Sequence, residues 1–340
     1  MSTGEWEAQK RELLGRPISA LGLHIEGTRV EELVERLYAE MEARGLVFHP
    51  PVYLTEEWGC PDGVPIIGVP FFLADERLER LEREFAVELE EEAQPMRILR
   101  HEAGHAFSYA YRLYERADFH QVFGSYAQPY RERFRVDPFS RQHVRHILGW
   151  YAQKHPDEDF AESFAVWLTP GFDWRRRYEG WPALRKLEYV ERIAAELGGT
   201  PPPVEAEVKP DHLPVGALHH TLEEHYQGWE EPLPLDGGYF DGDLRAIFGE
   251  AGDAPAGEPA AEFIRLHRRE LVGRIAHWTG ETGNAVRAFV DHLTERARAL
   301  ELRVTGLEAS TLVELTAFGT AVMMNYRFTN TLVRPDAEEA

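Results

Sequence analysis

The chain has 340 residues, 43% of them apolar, and a formal net charge of −22. That length buries a substantial core without a small-scaffold staple and suits two domains, or one with a large extension; so negative a chain is a poor partner for a nucleic-acid backbone. Cys60 is the single cysteine, which excludes an intramolecular disulfide and fits a structural thiol in a reducing compartment.

The first 25 residues carry Glu, Lys and Arg throughout, and the apolar stretch 312–324 is broken by Glu314. Neither a signal peptide nor a membrane span is expected, so the expected location is cytoplasmic, with no membrane partner. Thr28-Arg-Val-Glu31 has the capping-box pattern. Val30, Leu33, Val34, Leu37, Tyr38 and Met41 then recur at helical spacing up to Gly45. Residues 52–73 alternate β-formers with turn residues, as in Val52-Tyr-Leu54, Pro61-Asp-Gly63 and the run Ile66 to Leu73, so a small mixed sheet is expected. Pro65 and Pro70 mark 64–73 as an edge strand. Helices are expected near 75–93, 95–115, 141–153, 157–168 and 182–197.

Gly198-Gly-Thr-Pro-Pro-Pro203 and the polar stretch after it read as a boundary, giving domains of 1–204 and 205–340. Beyond it, Phe263, Ile264, His267, Leu271, Ile275 and Trp278 form one helical stripe, and Val286, Phe289, Val290, Leu293, Ala297 and Leu300 another, around a Gly/Ala/Pro-rich loop at 249–259. The cluster His219, His220, His225 lacks a recognised ligand spacing and reads as structural or surface. Asp236, Asp241 and Asp243 do not meet the calcium-loop pattern and read as turn residues.

The chemistry concentrates at two segments. Residues 101–105 read His-Glu-Ala-Gly-His; on a helix, His101 and His105 share one face and can bind a single Zn²⁺, while Glu102 is placed as general base for a metal-activated water. A catalytic zinc takes a third protein ligand. The metzincin spacing would need Gly at 108 and His at 111, where Ser108 and Tyr111 stand; longer spacings land on Gly124 and Ser125. Glu132 has no second acid one helical turn later, whereas Glu158 and Glu162 lie i, i+4 in Asp-Glu-Asp-Phe-Ala-Glu at 157–162. Glu158 is the expected ligand. Glu162 is its neighbour on the same face, suited to hold the second ring nitrogen of a ligand histidine. His120, His143, His146 and His155 are the alternatives to Glu158. Phe160, Phe164 and Trp167 form an apolar stripe out of phase with the two acids, so the acids should face a cleft and the aromatics a core. Asp157 follows Pro156 and can help start the helix, which Pro170 ends.

Arg-His-Glu-Ala-Gly-His at 100–105, with Trp-Tyr-Ala-Gln-Lys-His-Pro-Asp-Glu-Asp-Phe-Ala-Glu-Ser-Phe-Ala at 150–165, resembles the bacterial zinc-binding metallopeptidases within the gluzincins. The resemblance covers roughly residues 96–190. It implies a zincin-like α+β fold, mostly helical, with a helical C-terminal domain outside the match. It implies one Zn²⁺ per chain held by His101, His105 and Glu158, with Glu162 behind them, and a peptide or protein as substrate. In the related lethal-factor branch a Tyr seven residues before the ligand Glu faces the substrate oxyanion, which corresponds to Tyr151. Zincin-like folds also bind extended substrate on an edge strand upstream of the motif helix, for which 64–73 is the best candidate. Thermolysin-type enzymes have Asn before and Asp after the ligand Glu where this chain has Asp157 and Glu162. The function expected is zinc-dependent peptide hydrolysis; the alternatives are a zinc amidohydrolase acting on a small metabolite and a catalytically silent zincin-like binding protein.

Overall fold

A computed structural model describes residues 3–85, 94–131, 134–227, 233, 235, 237–250 and 257–332. In chain order these form α1 (Thr3–Leu14), α2 (Arg29–Ala43), β1 (Val52–Thr55), β2 (Ile67–Pro70), α3 (Glu76–Phe85), α4 (Gln94–Ala110), α5 (Ala117–Phe123), α6 (Pro156–Leu168), α7 (Trp174–Arg177), α8 (Leu184–Leu197), α9 (Leu222–Gln227), α10 (Asp241–Ile247), α11 (Ala260–Thr279), α12 (Gly283–Ala299) and α13 (Glu308–Thr329), with short 3₁₀ turns between them. Helix dominates. Among the described residues none of the helices is long and apolar enough to cross a membrane.

Contacts divide the chain into two compact units. The first runs to Arg83 and resumes through His225; the second holds Glu84, Phe85 and the residues from Tyr226 onward. The division thus falls after residue 225, later than the Gly/Pro-rich boundary at 204 suggested. The reason is main-chain bonding of 204–222 to the first unit: Val204 N donates to Ala110 O at 3.3 Å, Ser19 N to Leu218 O at 2.8 Å and Leu222 N to Arg16 O at 3.1 Å.

In the first unit, α2 begins where the sequence placed it. Thr28 Oγ1 accepts from Val30 N at 3.2 Å, but Glu31 Oε2 reaches back to Gly27 N at 2.7 Å, one residue earlier than in the usual capping box. The sheet is two-stranded and parallel, not mixed, with Val52 opposite Ile67; a lone antiparallel bridge joins Gly68 to Gly59. All four β2 residues are buried, and Gly68 N donates to Gly59 O at 2.7 Å, which bridges the strand's outer side at that one residue. In a two-stranded sheet β2 is an edge strand, as its prolines suggested, with that one bridge on its free side.

Helices α4 and α6 form the centre of the unit. Every α6 residue is buried, with Glu158, Glu162 and Phe164 against α4 and Phe160 turned toward α5. Phe164 stacks on Phe107 at 5.3 Å, and Phe160 meets Phe119 at 5.7 Å and Phe123 at 5.5 Å. On the α2 side, the buried Arg100 guanidinium donates to both oxygens of Glu40 at 2.6 and 2.7 Å, which fixes the azimuth of α4. Contact between α4 and α6 depends on Gly104, where a Cβ would lie 2.7 Å from Ala161 Cα and 3.0 Å from Ala161 O. Those are backbone atoms and cannot swing aside. Gly104→Ala is accordingly expected to force the helices apart and destabilise the fold by about 1–3 kcal/mol, seen as a lower midpoint in urea; an unchanged midpoint would show that the helices can separate freely.

In the second unit α11 packs on α12 and α13. Phe263, Ile264, Leu271 and Ile275 meet Val286, Phe289 and Val290 in one core, following the two stripes read from sequence. Trp278 departs from its stripe and is 55% exposed. Asp241 is the first residue of α10 and is clamped by Arg296 at 2.9 and 2.7 Å; Asp236 lies outside the described residues.

Candidate metal centre

Position 101 to 105 is one turn of α4, so both imidazoles emerge on the face that α6 covers, and the short Gly104–Ala161 approach brings α6 side chains within reach. His101 Nε2 lies 3.0 Å from Glu158 Oε2, His105 Nε2 lies 3.1 Å from the same oxygen, and the two nitrogens are 3.1 Å apart. All three residues are buried and could hold a metal ion. The acids, expected to face a cleft, instead face α4 in an enclosed setting: Glu158 is 3% and Glu162 0% exposed.

The remaining ring nitrogens are engaged from behind. Glu162 Oε1 sits 3.0 Å from His101 Nδ1, and Glu162 Oε2 accepts the backbone N–H groups of His146 at 3.1 Å and Ile147 at 2.9 Å. His105 Nδ1 lies 3.0 Å from Asp157 Oδ2, an ion-pair distance without hydrogen-bond alignment, and Asp157 Oδ2 accepts from Tyr109 OH at 2.6 Å. Carboxylates at both Nδ1 atoms favour the Nδ1–H tautomers. Both Nε2 lone pairs then point, with Glu158 Oε2, at one place. With the ring protons at Nδ1 these three acceptors repel one another unless a proton or a metal cation lies among them. Tetrahedral zinc with ligands at about 2.0–2.2 Å would space them by roughly 3.3–3.5 Å, a few tenths of an ångström wider than observed. The donor set, its spacing and its supporting acids fit a divalent metal.

The electrostatics agree. Burial opposes charge on His101, but the Glu158 and Glu162 carboxylates outweigh it and hold its pKa up at about 9. Burial likewise opposes charge on His105, and Asp157 and Glu158 raise its pKa well above the ordinary range. Glu158 stays ionised far below the usual carboxylate range, burial notwithstanding, because His105 and His101 face it. The pocket therefore draws positive charge. Glu102, 7% exposed, has no hydrogen bond or ion pair among the described residues, and burial raises its carboxyl pKa. It is not tied to a structural role.

No protein-family model, curated protein or solved structure matches the chain.

Tyr151 lies against the cluster, its ring 5.6 Å from that of His101 and tilted by 58°. Burial, reinforced by Glu158, raises its pKa, so the phenol keeps its proton. A second phenol that sequence reading missed, Tyr130, donates to Glu158 Oε1 and lies 3.5 Å from Tyr151 OH. The segment before Tyr151 is not the helix expected over 141–153. Residues 148–153 form a kinked 3₁₀ turn with Gly149 at φ 77° and Trp150 at φ 56°, while 141–147 are irregular. The cause is competition for backbone N–H groups: Arg145 N donates to Tyr178 OH, and His146 N and Ile147 N are taken by Glu162, leaving no helical ladder. Left-handed Trp150 is the conformation that L residues resist, held here next to the site.

The four histidines that competed with Glu158 as third ligand are occupied elsewhere. His120 Nδ1 and His146 Nε2 lie on the backbone oxygens of Gly124 and Arg97 at 3.2 and 3.0 Å. His155 Nδ1 caps α6 by accepting from Asp157 N at 3.2 Å, and His143 faces Asp159 at 3.9 Å. Glu132 lies outside the described residues. Asp157 and Tyr109 were also missed as supports for His105; the residue immediately before the ligand Glu, one-third of a turn round α6, carried the signal. Cys60 donates toward Ile66 O at 2.8 Å and burial raises its thiol pKa, so it stays a protonated, structural group.

Proposed function

We propose that the chain is a zinc-dependent peptidase of gluzincin type, with His101, His105 and Glu158 as ligands and Glu102 as general base. What carries this reading is the convergence of two imidazole nitrogens and one carboxylate oxygen beside a buried carboxylate that has no other task. Two imidazoles with one carboxylate are the donor set of catalytic zinc in several peptidases. When bound, the ion supplies Lewis acidity toward a peptide carbonyl and lowers the pKa of water toward ~7. Glu102 takes the proton of the attacking water at its carboxylate and returns it to the nitrogen of the leaving amine. Glu162 and Asp157 hold the imidazoles in orientation and tautomer. The single, half-buried Cys60 supports a reducing, cytoplasmic setting.

Tyr151 is assigned to the oxyanion that forms at the scissile carbonyl, as its ring lies beside that of His101 and its position seven residues before Glu158 matches the lethal-factor branch. Tyr151→Phe keeps the ring and removes only the donor. The expected result is unchanged zinc content and melting temperature with kcat lower by about 10²–10³; a kcat within a few-fold of wild type would remove Tyr151 from the set. The function itself is tested by incubating the zinc-loaded chain with a diverse peptide library and mapping new termini by mass spectrometry. Cleavage abolished by stripping the metal supports peptidase activity; an intact library would leave the amidohydrolase or the silent binding protein.

A further inference from the structure

We propose that Glu56, His220 and His225 form a second divalent-metal site, a clasp that fastens the segment 210–225 to the end of β1. Sequence spacing alone gave no such indication, because the carboxylate comes from a different part of the chain. In the structure Glu56 Oε1 is 2.9 Å from His220 Nε2 and 3.3 Å from His225 Nδ1, and one ligand atom from each residue falls within 4.8 Å of the others. The two rings lie nearly parallel, 6.0 Å apart at 21°. Two imidazoles and one carboxylate, with water completing the shell, suit zinc and neighbouring divalent ions. A proton-only arrangement would require both rings to donate to the same carboxylate oxygen, whereas a divalent ion allows both to offer lone pairs.

Contacts independent of any metal place each ligand. Glu56 directly follows β1, which is fixed by pairing with β2. His220 is held through its own backbone, its carbonyl accepting from Ile18 N at 3.0 Å while Leu222 N, two residues on, donates to Arg16 O at 3.1 Å. Thr221 and Glu224 then form a reciprocal capping box, with Thr221 N donating to Glu224 Oε2 at 2.7 Å and Glu224 N to Thr221 Oγ1 at 3.2 Å, which sets the turn between the two histidines. His225 packs edge-on against Phe71 at 5.2 Å. Ligands ordered in advance lose little entropy on binding an ion. The Glu56 and His220 side chains are 31% and 34% exposed, so an ion can enter from solvent.

The site belongs to a different part of the first unit's sequence from His101, His105 and Glu158, so it can be tested apart from them. In a His105→Ala background, which removes the other centre, Zn²⁺ titrated against a chromogenic chelator should bind at one equivalent and raise the melting temperature by roughly 5 °C. Adding His220→Ala or Glu56→Gln should weaken that binding by at least tenfold and remove the thermal shift. Zn²⁺ binding that is absent in His105→Ala, or unaltered by the added substitutions, would overturn the proposal. Should His105→Ala fail to fold, elemental analysis at saturating Zn²⁺ decides: two equivalents in wild type against one in His220→Ala support the clasp, and equal stoichiometry in both contradicts it.

Discussion

Glu102→Gln is expected to keep the tightly held zinc while peptide hydrolysis falls by about 10²–10⁴. The side chain is buried beside both histidines but has no bond to either among the described residues, so replacing one oxygen by an amide removes a base without removing a ligand. His101→Ala and His105→Ala should behave oppositely and lose that zinc, because each deletes a nitrogen of the converging set. Metal content after dialysis, measured beside turnover of one mapped peptide, separates the two classes. A Gln variant that retained activity would remove Glu102 as the base.

The two acids of α6 should separate just as clearly. Glu158→Ala deletes the oxygen that both Nε2 atoms approach and is expected to abolish tight zinc binding. Glu162→Ala deletes a partner of His101 Nδ1 and should weaken zinc by about 10 to 100-fold. It also strands the N–H groups of His146 and Ile147, a loss of about 1–3 kcal/mol for each if it stays unsatisfied. Glu162→Gln keeps an acceptor for those amides and so reads the electrostatic effect on His101 more cleanly. Competition with a zinc chelator measures all three variants; the reverse order of affinities would exchange the roles of Glu158 and Glu162.

The centre was legible because it follows helical arithmetic: i, i+4 on α4 and i, i+4 on α6 each put two side chains on one face. The same periodicity gave α2, α6 and α8 and the stripes of α11 and α12. It failed where tertiary bonding overrides local preference. Residues 141–147 have helical composition, yet Glu162 and Tyr178 take their amides. Gly59, from the preceding loop, bridges Gly68 of the edge strand 67–70, a pairing that no period announces. Tyr130 lies in irregular chain, where no period announces which way a side chain points. Glu56, His220 and His225 meet across 169 residues, a distance that spacing rules do not bridge.

The most direct test of the account is the position of the metal. Crystals equilibrated with Zn²⁺ and measured on both sides of the zinc absorption edge should show an anomalous peak bounded by His101 Nε2, His105 Nε2 and Glu158 Oε2, at about 2.0–2.2 Å from each. The absence of anomalous density among those three atoms at saturating zinc would contradict it.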